Sequence, residues 1–510
     1  MLSRPLLTAV LLAASPAMAD VTADQVWADW QRLASAAGTP LTALAKTEGN
    51  RLVLSRLALA LGTPDDPATL RLDRLTLETR PDGTVAVVLP ASFPLTLDLP
   101  PPQGPDDPSR LTFTATAPGL AISIAGLGDL AAFNITAPSL TVTLDPLDLP
   151  AAAKADYAAD LTFAAADLSL RHRQDLTATA PIISTNFTLG TLHADTLVAL
   201  PEGEGGSFTV DLSALAGAFD LQAPPDSLTK TSPNLPDLLQ GMSATDGLRA
   251  SFSHGPFAFT ARLADPAPGP QDIALTSASG AATLRADKAG LLVDLTSGLT
   301  SFDITIDDPE VPFTAAAFGY DDLSYGVSVN FGTLSGPEPF TVSARLSAFS
   351  FSEALWQQID PASVFPRDPL SFALALSGRY AVKPEALAPN WQPASTNDLP
   401  VDIVALSLDE LLLSAVGAKL TGTGALTFDN SDLVTFDGMP APTGLLNFAA
   451  TGINALIDRA ASAGLIPPDE LTPLRFGLAF IAKPGDGPDT LTSSIEFRDK
   501  SLYLNGQKLR

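Results

Sequence analysis

The fold class is decided by a pattern that is clearest at residues 70–79, which read LRLDRLTLET. Leucine alternates there with polar residues at 70 and 72 and again at 75 and 77, and Asp73-Arg74 separates the two runs. Such alternation places apolar side chains on one face of a β-strand and polar side chains on the other. Because one face of each strand stays polar, the pattern predicts an antiparallel sheet and not a parallel sheet buried on both faces. Similar segments recur from about residue 41 to 350 and include LTFTATA (111–117), LTVTLDPLDL (140–149), LTFAAADLSLR (161–171), FAFTARL (257–263) and FDITIDD (302–308).

Turn residues between the segments agree with this assignment. The pentapeptide RPDGT at 80–84 separates two strand segments, since proline presets φ and glycine accepts a positive φ. Asn505-Gly506 is typical of a type I′ turn and predicts a hairpin near residue 505. The predicted fold is mainly β: an elongated antiparallel β-sheet body with a few capping helices.

Three helices are predicted. The first follows Thr22 as N-cap, with Gln25 completing a capping box and Gly38 after its end. We expect it to pack over one end of the sheet through the face formed by Val26, Trp27, Trp30, Leu33 and Ala34. The second is expected near 352–360 with Ser352 as N-cap, and the third near 445–463, ended by Gly464 and by Pro467-Pro468. The stripe of the third is Leu446, Ala449, Ala450, Ile453, Leu456, Ile457 and Ala460.

Residues 1–19 have the organisation of a cleavable signal peptide. Arg4 precedes a short apolar run, and Ala17-Met18-Ala19 places small residues where signal peptidase requires them. The run is shorter than the roughly 20 residues that cross a bilayer, and no later apolar run is long enough to span. We expect cleavage between Ala19 and Asp20, export to the periplasm or beyond, and no transmembrane segment in the mature chain. The remaining chain is expected to form β-rich lobes at 20–300 and 301–510.

Composition excludes several kinds of function. The 510 residues include 56 Asp+Glu, 29 Lys+Arg, three histidines and no cysteine, which gives a net charge of −27. Without cysteine there is no disulfide, no thiolate nucleophile and no Cys-ligated metal. The pI of about 4.3 opposes binding to nucleic acid or to anionic headgroups. A hydrophobic content of 46% nevertheless supports a folded core.

No residue set is assigned as catalytic, cofactor-binding or metal-binding. His172, His193 and His254 each lie in strand-like sequence, and no G-x-S-x-G nucleophile motif is present. Ser227-Leu228-Thr229-Lys230 matches S-x-x-K, but the partner motifs of that enzyme class are missing. We therefore expect no cofactor.

Acidic pairs recur, and DNSD (429–432) resembles part of a calcium-loop motif. Aspartate before proline is ordinary turn chemistry, and no stretch has the ligand spacing of a calcium loop. The pairs are Asp65-Asp66, Asp106-Asp107, Asp307-Asp308 and Asp321-Asp322.

Segments in the last third resemble the DUF2125 family of exported alphaproteobacterial proteins. They are VFPRDPLSFALALSGRY (364–380), LDELLLSAVGAKLTGTGALTFD (408–429), PTGLLNFAATGINALIDRAASAGLI (442–466) and LTSSIEFRDKSLYLNGQKL (491–509), together with VTADQVWADWQRL (21–33). The resemblance covers about the last 200 residues plus the first helix. It implies an exported, β-rich protein and assigns no activity.

The functional hypotheses depend on what covers the apolar face of the sheet. The sheet either closes on itself as a sandwich or barrel, or leaves an open apolar groove suited to lipid or another apolar ligand. The leading hypothesis is a non-catalytic periplasmic protein that binds such a ligand or acts as a scaffold in the cell envelope. The alternatives are a carboxylate-dependent hydrolase and a calcium-stabilised secreted adhesion module.

Overall fold

The structure is a computed structural model. It describes residues 20–63, 66–99, 110–147, 158–178, 181–200, 204–222, 247–264, 269–308, 310–331, 336–387 and 400–510.

Antiparallel strands make up most of the described chain, as the alternation predicts, so the predicted fold class is confirmed. In the first half they are β1 Leu41–Glu48, β2 Arg51–Thr63, β3 Asp66–Thr79, β4 Val85–Val88, β5 Ser92–Asp98, β6 Arg110–Thr116, β7 Ala121–Gly126, β8 Ala132–Leu144, β9 Ala158–Asp175, β10 Ile182–Ala199, β11 Gly205–Gln222, β12 Gly247–His254 and β13 Phe257–Ala264. In the second half they are β14 Gln271–Ser277, β15 Gly280–Asp287, β16 Gly290–Ser297, β17 Thr300–Ile306, β18 Ala315–Tyr320, β19 Asp322–Asn330, β20 Glu338–Phe351, β21 Leu370–Val382, β22 Val401–Ala415, β23 Ala418–Asp429, β24 Ala441–Thr451, β25 Lys483–Pro484, β26 Thr490–Arg498, β27 Ser501–Leu504 and β28 Gln507–Lys508.

Helices are few in the described part of the chain. They are α1 Ala23–Ala36, α2 Glu353–Ile359, α3 Ile453–Ser462 and α4 Pro468–Ile481, with short 3₁₀ turns at Gly128–Leu130 and Pro384–Leu387. None of these helices has both the length and the hydropathy needed to cross a bilayer.

All described strands belong to one continuous sheet. Long strands carry two shorter strands end to end along one edge: β3 pairs with β4 and β5, and β11 pairs with β12 and β13. Between β11 and β20 the sheet therefore runs as two tracks, one through β12, β15, β16 and β19 and the other through β13, β14, β17 and β18. From β20 to β24 the strands pair in chain order. Pairing continues through residue 300, where β17 bonds to β14 and β18, and a division into two lobes there stays a prediction.

The predicted turns are confirmed. Gly83 has a φ of +79° in the connection from β3 to β4, and its carbonyl accepts the Val21 N–H at 3.0 Å. Asn505 and Gly506 both have positive φ, 54° and 82°, between β27 and β28. The segment 366–369 leads directly into β21, which begins at Leu370.

Helix α1 starts at the predicted capping box. The Thr22 N–H donates to Gln25 Oε1 at 2.9 Å, and the Gln25 N–H donates to Thr22 Oγ1 at 3.4 Å. Its inner face covers β2, β3, β4 and β7, and Val26, Leu54, Leu77 and Val85 are each 0% exposed. The predicted packing over one end of the sheet is confirmed through Val26, Trp27 and Trp30, whereas Leu33 of the predicted face is 51% exposed.

The prediction of a helix near 445–463 is wrong for the first half of that segment. Strand β24 extends to Thr451 and pairs with β23 and β26, and α3 begins only at Ile453. Residues 444–451 also fit the period of two of a strand, through Leu446, Phe448 and Ala450. Because hydrogen-bonded strands lie on both sides of this segment, it forms a strand although its spacing also fits a helix. Gly452, at φ +77°, separates strand from helix.

The other helix predictions are confirmed, and one helix was missed. Helix α2 follows Ser352 and lies within the predicted segment, and Gly464 ends α3 with a φ of +72°. Helix α4 was missed because Pro467-Pro468 was interpreted only as a stop. Pro468 is the first residue of α4, where its missing N–H costs no hydrogen bond, and acidic residues follow in the first turn.

Candidate functional site: the apolar sheet face and its C-terminal pocket

One face of the sheet carries an unbroken row of cross-strand partners, here called the central row. It connects 17 strands from β4 to β27 by 16 direct pairings, which at about 4.8 Å per strand correspond to roughly 75 Å. Its members are Val85, Ile124, Phe133, His172, Thr185, Phe219, Ala250, Leu284, Val293, Val327, Val342, Leu376, Leu408, Gly424, Leu446, Ile495 and Leu504. The row contains no Asp, Glu, Lys or Arg.

A second row on the same face, the flanking row, widens the apolar surface. It runs through Phe187, Gly217, Phe252, Ala282, Leu295, Tyr325, Ala344, Leu374, Leu411, Gly422 and Phe448. Two of its glycines lie under the ring of a cross-strand phenylalanine, Gly217 under Phe187 and Gly422 under Phe448. A Cβ on Gly422 would lie 2.7 Å from the Phe448 ring, so glycine is what lets the ring lie close to the sheet.

The opposite face is polar. Residues one position along from the central row include Asp220, Arg249, Arg285, Ser328 and Thr341. Ion pairs form on this side: Arg249 Nη2 donates to an Asp287 carboxylate oxygen at 3.1 Å. The sheet is therefore two-sided, and charge is segregated from the apolar face.

Exposure along the central row distinguishes a closed interior from an uncovered surface. Val85 and Ile124 are buried beneath α1. From His172 to Leu504, by contrast, every residue of the row is partly or fully exposed. The interior of a closed sandwich would be packed and buried. Phe219 at 39% exposed and Phe252 at 45% instead lie on an apolar face that the described helices leave uncovered.

The C-terminal end of the face forms a cavity of about 600 Å³, here called the C-terminal pocket. Phe448, Ile495 and Leu504 of the sheet line one side, so the central and flanking rows both reach it. Helices α3 and α4 line the other side, α4 through Leu478 and Ile481. The lining is almost wholly apolar, and the volume lies within the roughly 300–1,000 Å³ of small-molecule sites.

The three histidines lie on three different strands with separate partners. His172 Nδ1 is 2.9 Å from Thr185 Oγ1, and its ring stacks on Phe133 with centroids 4.8 Å apart. His193 Nδ1 is 2.8 Å from Asp211 on β11, and His254 Nδ1 is 2.7 Å from the Gly255 carbonyl. Only His172 belongs to the central row, where its ring contributes a stacked surface.

The carboxylates of buried Asp287 and partly buried Asp432 are held ionised by their neighbours. Burial of Asp287 acts to raise its pKa, but the Ala289 N–H, Arg249 and Arg285 together hold that pKa below its usual range. A hydrogen bond from Lys500, with others from Thr435, strongly lowers the pKa of Asp432. A general acid needs the opposite shift, so these groups stabilise turns and strand ends.

The described acidic candidates lie at strand ends, with Asp307-Asp308 directly after β17 and Asp321-Asp322 at the start of β19. Within 429–432, Asp429 accepts from Ser431, and Asp432 bonds to Thr435 and Lys500. No group of three His, Asp or Glu side chains suited to a metal occurs in the described ranges. Ser227-Leu228-Thr229-Lys230 and Asp106-Asp107 lie outside the residues that the structure describes, and so does Asp65.

The profile of a bacterial family matches residues 248–509, just over half of the chain. The family is described as "Uncharacterized protein conserved in bacteria (DUF2125)". The chain belongs to the DUF2125 family. No curated protein and no solved structure matches it.

The DUF2125 match extends further upstream than the sequence resemblance, which covered about the last 200 residues. It does not include α1. The matched segment starts at the second residue of β12 and contains the central row from Ala250 to Leu504 together with the whole C-terminal pocket, whereas His172, Thr185 and Phe219 lie upstream of it.

The pocket was missed from sequence because it depends on α4. The sequence leaves open whether a groove exists. That α4 covers a pocket beside β26 follows only when it is known which strands pair. One signal was present: Leu471, Leu474, Leu478 and Ile481 recur at helical spacing after Pro468.

Proposed function

We propose that this DUF2125 protein is an exported, non-catalytic protein that holds the acyl chain of a lipid against its apolar sheet face. The observation that carries the proposal is the central row, which is uncharged over 17 strands and only partly buried from β9 onward. A large contiguous apolar surface on an otherwise acidic protein is typical of a binding surface.

An acyl chain suits this surface for three reasons. It is linear, like the row; it needs no hydrogen bonds from the lining; and its methylenes gain free energy from each apolar neighbour. Each buried methylene contributes about 0.8 kcal/mol, so ten of them supply about 8 kcal/mol before the costs of association. Association itself costs several kcal/mol, so the net affinity is weaker than the roughly micromolar binding that a net 8 kcal/mol would give.

Export is supported by residues 1–19 alone. The arrangement of Arg4, the apolar run and Ala17-Met18-Ala19 is that of a signal peptide. Cell fractionation with N-terminal sequencing tests it: we expect recovery from the periplasm with Asp20 as the first residue. Recovery from the cytoplasm with Met1 intact would contradict export.

Acyl-chain binding is tested in two ways. Organic extraction of the purified protein, followed by mass spectrometry, is expected to yield co-purified lipid. Titration of delipidated protein with N-phenyl-1-naphthylamine is expected to give saturable fluorescence enhancement that a fatty acid displaces. Protein without lipid that also fails to bind the dye would contradict the proposal.

Two neighbouring residues of β20 provide a matched pair of variants. Val342 belongs to the central row, and Thr341 points to the polar face one position away. We expect Val342→Asp to weaken dye binding by about tenfold or more, because a carboxylate must be desolvated beside the ligand. Thr341→Asp carries the same charge on the same strand and is expected to bind normally. Equal effects of the two variants would argue against the central row as the binding surface.

A further inference from the structure

Helix α4 is apolar on both of its sides. Leu478 and Ile481 contribute to the C-terminal pocket, whereas Phe476 and Phe480 are 77% and 56% exposed. The two phenylalanines are four residues apart and so share one helix face. Leu465, in the turn before α4, is also largely exposed. A helix that is apolar all round is normally buried in protein or in lipid, yet this one lies at the protein surface.

The segment of the chain that carries α4 has no net charge of its own, and its Lys500 and Arg510 pair with Asp432 and Asp437 outside it. Residues 453–510 contain seven acidic and seven basic side chains, whereas the whole chain carries −27. The acidic residues are Asp458, Asp469, Glu470, Asp486, Asp489, Glu496 and Asp499, and the basic residues are Arg459, Arg475, Lys483, Arg498, Lys500, Lys508 and Arg510. The C-terminal segment is therefore not repelled by a phospholipid surface as the rest of the chain is.

The length and chemistry of α4 suit attachment to a surface. Its 14 residues extend about 21 Å, less than the roughly 30 Å hydrocarbon core of a bilayer, so it cannot span. After its first turn its only charged residue is Arg475, which already pairs with Asp458. Polar groups that would select a particular protein partner are thus scarce on this helix.

We propose that the outer face of α4, formed by Phe476 and Phe480, docks on the surface of a phospholipid bilayer. The helix would lie in the interface with its phenylalanines among the upper acyl chains. Because its inner face lines the C-terminal pocket, docking places the bilayer directly beside the proposed acyl-chain site. That docking lets lipid pass between the bilayer and the pocket rests on the proposed function. Docking itself does not depend on the proposed function.

Flotation with phosphatidylcholine vesicles tests the docking. We expect purified protein to float with the vesicles in both 0.1 M and roughly 0.5 M salt, because apolar insertion, unlike ionic attraction, is not screened. The double variant Phe476→Ser/Phe480→Ser is expected to partition at least about tenfold less. As a matched control, Leu299→Ser/Ile359→Ser removes two side chains that are each 60% exposed elsewhere and is expected to float like the parent. Circular dichroism verifies that each variant is folded.

Three outcomes overturn the proposal: no flotation of the parent, equal loss in both double variants, or a dimer in sedimentation analysis that Phe476→Ser/Phe480→Ser dissociates. The last outcome would assign the patch to a second copy of the chain. Dye binding without vesicles separates this proposal from the proposed function, because neither phenylalanine lines the pocket. Dye binding without flotation contradicts docking alone, and flotation without dye binding contradicts the acyl-chain site alone.

Discussion

Asp360 shows how a buried charge is used at the scale of single residues in this protein. It is 3% exposed and accepts the N–H groups of Val364 at 3.0 Å and Phe365 at 2.9 Å. Arg367 Nη1 donates to the same carboxylate at 2.6 Å, and its guanidinium lies 4.7 Å from the centroid of the Trp356 ring. These bonds connect α2 to the turn before β21, so the cluster stabilises the chain path.

The Asp360 cluster gives stability a defined pH dependence. Burial acts to raise the pKa of Asp360, but the hydrogen bonds from Phe365, Val364 and Arg367 outweigh it and lower that pKa. A lowered pKa in the folded state means that the stabilisation is complete above about pH 4 and is lost as the pH falls below that value. We expect Asp360→Asn to lower the melting temperature at pH 7 and to approach the parent at pH 3.

Thermal melting by circular dichroism at both pH values measures this effect. Asp409→Asn, at an exposed position on β22, serves as the control and is expected to match the parent throughout. A constant difference between Asp360→Asn and the parent across the pH range would contradict the assigned role of the ionised carboxylate.

Leucines on the apolar face and in the α1 core should differ in their contribution to stability. Leu77 is 0% exposed, whereas Leu295 on the flanking row is 45% exposed. We expect Leu77→Ala to cost about 2–5 kcal/mol of unfolding free energy, because it leaves a cavity. Leu295→Ala is expected to cost less than about 1 kcal/mol in ligand-free protein. Urea unfolding measures both, and similar costs would indicate that the apolar face is closed.

At the scale of elements, neighbouring strands override local spacing. The stretch 444–451 satisfies both a helical and a strand period, and pairing with β23 and β26 decides for the strand. Glycine then has opposite roles in strand and helix. Gly422 admits the Phe448 ring, while Gly477 in α4 has no atom within 4 Å of where a Cβ would lie.

Alanine at these two glycines should change stability in opposite directions. Gly422→Ala is expected to destabilise by about 1–3 kcal/mol, because the Phe448 ring must move. Gly477→Ala is expected to stabilise α4 by about 0.5–1 kcal/mol, because it lowers the backbone entropy that the helix loses. Urea unfolding reports the first, and slower amide hydrogen exchange in α4 reports the second. A stabilising Gly422→Ala would show that the ring does not occupy this position.

At the scale of the whole molecule, the large negative charge opposes association through the apolar surface. A chain with −27 repels its own copies, and this repulsion disappears near the pI of about 4.3. We expect light scattering to rise as the pH is lowered from 7 towards 4.3, and Val342→Asp, with less apolar surface, to associate less than Thr341→Asp. Scattering that is independent of pH would mean that charge is not what keeps the copies apart.

The sequence by itself determined the antiparallel sheet, the hairpin at Asn505-Gly506 and the capped helix at Thr22. In each of these the decisive interactions are local: alternation of side chains, positive φ at a turn, and a capping box three residues long. The exported location and the lipid ligand remain proposals that began as sequence predictions.

Only the tertiary structure decided which strands pair, and the candidate site follows from that. The central row joins residues as distant in sequence as Phe133 and Leu504, and no local pattern encodes such a register. The same is true of β24, where pairing with two neighbouring strands decides between a helical and a strand period. It is also true of the C-terminal pocket, because α4, which lines it, begins at a proline that by itself indicates the end of a helix. Local preferences determined the strands, but pairing with distant neighbours determined their order, and the helices among the described residues leave one face of the sheet uncovered.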